Sequence, residues 1–206
     1  MAHERIKEKS GQLFFSYGLR SISMDDVAHM CGMSKKSVYQ YFEDKNALVS
    51  AIVHDLIKSH KRLLKICNDA AEDAIDEVIK QIEESFNIWA AIRPPFFYEL
   101  EKFCPEAWHE LKLYRLKMHD GIISNLEWGK REGIYRNNIN TALIAELRLH
   151  QLTNLLQQNF VTTQQWSIHQ SVIELTDLYL HSIATEKGRE RLYTILRNDH
   201  NKKNKR

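Results

Sequence analysis

The sequence predicts an all-α protein, a small helical head followed by a larger helical body. Three observations predict it. Glycine and proline are scarce, 7 and 3 in 206 residues, so few turns interrupt the chain. Apolar residues recur at helical spacing through most of the length, and the alternation of a half-buried strand is rare. Hydrophobic content of 43% with 27% charge is ordinary globular composition, with ample chain for a core.

The first helix is expected from about His3 to Tyr17, with Ile6, Ser10, Leu13, Phe14 and Tyr17 on one face and Gly18 as its stop. Ser23 to Lys45 then reads as a helix, a tight turn and a second short helix. Ser23 is a good N-cap with Asp26 three residues on, Ile22 and Val27 are placed as a staple, and Asp25 and Asp26 favour the macrodipole. Ala28 is small where two helices must cross. Gly32 supplies a positive φ, and Val38 drops into the wedge beside Val27. Ser34 caps the short helix, whose Lys35-Lys36-Ser37 and Tyr39-Gln40-Tyr41 have the composition of a helix end facing a polyanion.

Asp44 caps a long rod that begins at Lys45 and carries Leu48, Ile52, Leu56 and Leu63 out to about Cys67. Residues 69–93 read as a helix with an acidic start and an apolar stripe through Ile75, Val78, Ile82, Phe86 and Trp89, ended by Pro94-Pro95. A short aromatic helix follows to Cys104, then a long one from Pro105 to about Arg131, with Gly133 as its stop. Asn140 caps a leucine-rich helix over about 141–159. A last long helix spans about 164–185, a short one is expected within 188–197, and the basic tail 198–206 is expected to be disordered. The domains expected are therefore 1–47, 48–197 and that tail. Gly121 and Gly129, inside a helix, imply either close backbone approach or room for a ligand.

The net charge of +2 conceals a gradient. Residues 1–47 carry 7 Lys and Arg against 6 Asp and Glu, residues 48–185 carry 14 against 18, and residues 186–206 carry 8 against 3. The chain is no bulk polycation, so nucleic-acid contact has to come from local placement. Three cysteines without metal-like pairing imply reduced thiols. No stretch is long and apolar enough for a bilayer and no signal-peptide core is present, so a cytoplasmic location is expected. Enzyme motifs are missing too. Glu106 and His109 match the Glu-x-x-His of di-iron bundles, but no second copy occurs, and there is no zinc motif, phosphate loop or nucleophile elbow. No cofactor is implied.

Residues 6–48 resemble the N-terminal domain of the TetR/AcrR family of bacterial transcription regulators. Leu13-Phe14, Tyr17-Gly18, Ser23, Asp26-Val27-Ala28, Gly32-Met33-Ser34-Lys35, Ser37-Val38-Tyr39, Tyr41-Phe42, Lys45 and Leu48 carry the resemblance. Ser10-Gly11, Cys31 and Asn46 depart from the common pattern. Asp25 is the awkward one, since relatives use that position for DNA and a carboxylate repels phosphate. The resemblance implies a homodimer that binds a palindromic double-stranded operator and is released by a small, partly apolar effector.

On that reading Lys35, Lys36, Tyr39 and Gln40 are candidates for groove contacts, and Ser37, Tyr41 and Lys45 for phosphate contacts. The mid-chain aromatics suggest an effector pocket with Trp89, Phe97, Trp108, Tyr114, Met118 and His119. Leu152, Leu155, Leu156, Leu175, Leu178 and Tyr179 are candidates for a four-helix dimer face. Alternatives at this stage are an activator, a regulator controlled by a protein partner or thiol oxidation, and a helical interaction or enzymatic module that does not bind DNA.

Overall fold

Ten helices follow one another in the computed structural model, which describes residues 2–156 and 167–203. They are α1 (Ala2–Tyr17), α2 (Met24–Cys31), α3 (Lys35–Tyr39), α4 (Lys45–Ala70), α5 (Ala74–Ala90), α6 (Pro94–Phe103), α7 (Pro105–Arg131), α8 (Thr141–Leu156), α9 (Ile168–Ile183) and α10 (Glu186–Lys203). Among the described residues there is no strand, only one isolated bridge between Tyr135 and Ala184.

Helix starts lie where local hydrogen bonding sets them. Ser23 and Asp26 form a full capping box, each accepting from the other's backbone N–H. Asp44 accepts from Ala47 N at 2.8 Å, and Asn140 from Leu143 N at 3.1 Å. The expected 69–93 helix divides differently, because α4 runs on to Ala70 and a new cap intervenes. Asp73 Oδ1 accepts from Asp76 N at 2.9 Å, while Asp76 Oδ2 accepts from Glu72 N at 2.9 Å. The tail expectation is corrected as well. α10 continues to Lys203, so residues 198–203 extend a helix instead of forming a disordered end. Residues 204–206, and the expected helix ends at 159 and 164, lie outside the described residues.

Two compact units are present, each with its own core. The first takes in residues 2–62, 87–115 and Leu156, the second residues 63–86, 116–155 and 167–203. The first unit is thus larger than a 1–47 head, since α6 and the start of α7 belong to it. Arg93 N donates to Phe15 O at 2.9 Å, Arg20 N donates to Glu99 Oε2 at 2.9 Å, and Phe15 meets Phe96 edge-on at 5.0 Å. The buried stripe of α4 runs through Leu48, Val49, Ile52, Val53, Ile57, His60 and Cys67, with Leu56 and Leu63 half-buried at its edge.

The second core gathers Ala74, Ile75, Leu126, Ile134, Tyr135, Ala145, Tyr179, Leu180, Ile183, Leu192 and Ile195. Gly129 is explained here. A Cβ at that position would lie 2.0 Å from the Tyr135 ring, so close approach is its reason. Gly121 faces open space. Inside this core the Glu77 carboxylate accepts from three amides, those of Asn68, Gln81 and Asn125, at 2.8, 2.9 and 2.6 Å.

Candidate nucleic-acid interface

The head presents α3 by a wedge of small and branched residues. Val27 and Val38 are fully buried and Ala28 nearly so, which locks α2 against α3. Gly32 takes φ +62°, and its turn sends Gly32 N–H to His29 O and Met33 N–H to Ala28 O. Nothing lies within 4 Å of a Cβ built at Gly32, so conformation alone demands glycine there. Ser34 caps α3 through Ser37 N at 3.1 Å.

Lys35, Lys36, Tyr39, Gln40 and Tyr41 all stand exposed on this short helix and its exit. Ser37 is half-buried and shares its hydroxyl with Ser34 Oγ at 2.8 Å. Lys35 Nζ pairs with Asp25 Oδ2 at 2.8 Å, so the carboxylate that looked repulsive has a cation beside it. The imidazole of His3, from the start of α1, stacks on Phe42 at 4.7 Å and tilts towards Tyr41 at 6.4 Å.

Lys45 departs from its expected role. Its ammonium turns inward and donates to the carbonyls of Leu19 and Ile22, 5.6 Å from the Phe14 ring centroid. Burial pulls its pKa down. The α1–α2 loop leaves those carbonyls without helical partners, and a long side chain at the start of α4 satisfies them. Lys45 therefore ties the head together and has no free ammonium for a phosphate.

The aromatic candidates separate. Trp89, Phe97 and Tyr114 are buried together in the first unit around a residue the sequence reading missed, His60, which is 1% exposed. Trp89 Nε1 donates to His60 Nε2 at 3.2 Å, and His60 Nδ1 lies 2.5 Å from Tyr114 Oη. An indole N–H only donates, so Nε2 is the bare nitrogen and Nδ1 carries the proton towards Tyr114. Burial lowers the His60 pKa to about 4 and pushes the Tyr114 phenol up. Phe97 stands 6.5 Å from the Trp89 ring. Trp108 is half-buried beneath the Arg115 guanidinium at 5.0 Å. Met118 and His119 fall in the second unit, His119 3.5 Å from Glu146. A histidine on the apolar stripe of α4 was the available signal for His60.

Of the proposed dimer residues, Leu178 is exposed while Leu152 and Leu175 are half-buried. Leu155 and Tyr179 are corrected. Both point into their own chain's core, because the phase of α8 and α9 turns them inward. The side chain of Leu156 lies outside the described residues. Leu143, Leu147 and Ile173 are exposed apolar residues of the same helices that the interface reading passed over. The three thiols are all buried, and burial raises each one's pKa, opposite to what a reactive thiolate needs.

An exposed basic and aromatic helix, held at a fixed angle by a glycine-capped wedge, defines a helix-turn-helix DNA-binding protein. Residues 8–52 match the family described as bacterial regulatory proteins, tetR family. The chain is similar to the HTH-type transcriptional regulator YvaF of Bacillus subtilis (strain 168), 22% identical over 185 residues, 89% of this chain and 96% of that protein. Its fold matches a transcriptional regulator from Saccharomonospora viridis solved in complex with choline, with TM-score 0.77, 15% identity, and 90% and 98% of the two chains covered. It also matches AibR in complex with isovaleryl coenzyme A and operator DNA, with TM-score 0.67, 15% identity, and 86% and 97% covered. The N-terminal domain is thus similar to the DNA-binding domain of tetR-family regulators, the fold of the chain is the one those regulators have, and the relatives named are transcriptional regulators. No helix among the described residues is long and apolar enough to cross a membrane.

Proposed function

We propose that this regulator is a cytoplasmic repressor that binds a palindromic operator as a homodimer and leaves it when a small effector binds. The observation that carries the reading is the exposed set Lys35, Lys36, Tyr39, Gln40 and Tyr41 on a rigidly seated α3. Lysine donates to guanine acceptors, glutamine pairs with adenine, and the tyrosine hydroxyls suit phosphate. One such head reads only a few base pairs, so a second copy is needed, with half-sites roughly one helical turn apart. Leu143 and Leu147 on α8 with Ile173 and Leu178 on α9 supply exposed apolar surface for that second copy. Trp89, Phe97 and Tyr114 around His60 form the effector-sensing cluster. Operator DNA and an acyl-CoA bound by AibR, and choline bound by the Saccharomonospora protein, support the same division of labour. Effector release requires the ligand to favour one of two conformations.

The test is selection from random duplex DNA with the purified chain. A palindromic consensus is expected, with sedimentation of the free protein as a dimer at micromolar concentration. Recovery of no consensus, or a monomer, would overturn the reading.

A further inference from the structure

Two adjacent lysines open α3, and the fold treats them differently. Lys36 is exposed and has no ion-pair partner among the described residues. Lys35 Nζ donates to Asp25 Oδ2 at 2.8 Å, a carboxylate in the first turn of α2. The pair joins the two helices of the motif, and the tight turn at Gly32 is what brings it together.

Stability does not account for this contact. The Lys35 and Asp25 side chains are 51% and 66% exposed, and an ion pair so open to water contributes little. Asp25 is not needed as a cap either, because Ser23 and Asp26 already form the capping box of α2. Its place in the first turn suits the macrodipole with or without a lysine beside it.

What the contact does change is the choice of partner on DNA. A phosphate oxygen approaching the Lys35 ammonium also meets the Asp25 carboxylate, and like charges so placed repel. Guanine O6 and N7 are neutral acceptors and meet no such penalty. An ammonium has three N–H donors. One is taken by Asp25 Oδ2, and the two that remain match the two guanine acceptors. The hydrogen bond to Asp25 also holds the Lys35 pKa above its ordinary value, so the ammonium stays charged. Lys36 carries no such restraint and is open to phosphate.

We infer that Asp25 is a specificity-determining residue, whose carboxylate denies Lys35 to phosphate and reserves it for a guanine edge. The inference rests on the proposed DNA-reading role of α3 and deepens it.

The test follows full-length wild type, Asp25→Asn, Lys35→Ala and the double variant by fluorescence anisotropy across a salt series. Two duplexes are used, one of random sequence and the palindrome that wild type selects. Asp25→Asn is expected to bind the random duplex more tightly, with a salt slope steeper by about 1 as Lys35 gains a phosphate. Its preference for the palindrome should fall roughly 10-fold. Lys35→Ala should keep the wild-type slope on the random duplex and lose a similar preference, and reselection with it should relax one guanine position in each half-site. In the double variant the extra slope should be absent.

An unchanged slope and preference for Asp25→Asn overturns the inference. So does a steeper slope that persists in the double variant, or a slope that Lys35→Ala lowers on random DNA. Equal loss of affinity by Asp25→Asn on both duplexes also overturns it, because a merely loosened head weakens all binding alike. A wild type that selects no palindrome overturns the regulator reading and this inference with it, while one that selects a palindrome the variants read equally well overturns this inference alone.

Discussion

Acid should weaken this protein through one histidine before its carboxylates matter. His60 has its pKa lowered from 6.5 to about 4, first by burial, and geometry acts in the same direction. A proton on Nε2 would face the Trp89 indole N–H, donor against donor. Because the folded state holds the neutral ring, its contribution is complete above pH 7. That contribution shrinks as pH falls below 6.5, where the unfolded chain takes up the proton first, and the decline ends near pH 4. A shift of about 2.5 units corresponds to about 3 kcal/mol in full, of which roughly 1.4 kcal/mol is lost between pH 7.5 and 5.5. His60 is almost wholly buried, so solvent screening takes little from that figure.

The assay is urea unfolding at pH 7.5 and 5.5 and one fixed protein concentration, comparing wild type with His60→Gln. Glutamine keeps a donor and an acceptor but cannot titrate, and the other nine histidines are common to both proteins. Wild type should lose about 1.4 kcal/mol more than the variant over this interval. An independent reading comes from NMR of ring-labelled histidine, with one resonance titrating near pH 4. Parallel decline of the two proteins, or a His60 resonance titrating above pH 6, would refute the reasoning.

Lys36→Ala should weaken binding to all DNA sequences and reduce the salt slope by about 1, while Lys45→Met should leave the slope of folded protein unchanged and lower stability by about 2 kcal/mol; salt titrations and urea midpoints separate them. Gly129→Ala drives a methyl into the Tyr135 ring, so a loss of about 1–3 kcal/mol is expected from thermal melts. Ser10 is fully buried with its hydroxyl unsatisfied, and Ser10→Ala should raise stability by about 1 kcal/mol, read from the urea midpoint. A lower midpoint for that variant would show that the hydroxyl has a partner.

The regular helices and the exposed face of α3 were legible because their determinants are local. Ser23 with Asp26, Ser34, Gly32, Asp44 and Asn140 act on backbone groups within a few residues, so their effect can be read along the chain. Boundaries failed where two signals competed. The acidic run at 72–77 looked like the start of one helix, but Asp73 accepts from Asp76 N and Asp76 from Glu72 N, and this new cap breaks the chain between α4 and α5.

What the linear order decided by itself was the helical class, the wedge that seats α3, and the identity of the side chains exposed on α3. Tertiary structure alone decided where the long side chains end. The Lys45 ammonium found two loop carbonyls more than twenty residues away. Trp89 and Tyr114 met on His60, and the helical phase of α8 turned Arg148 inward among neutral acceptors. The physical reason is common to all three. A cap is satisfied within one turn of helix, but a charge or ring on a long stem takes whatever partner folding brings within hydrogen-bonding distance, and that partner can lie anywhere in the sequence.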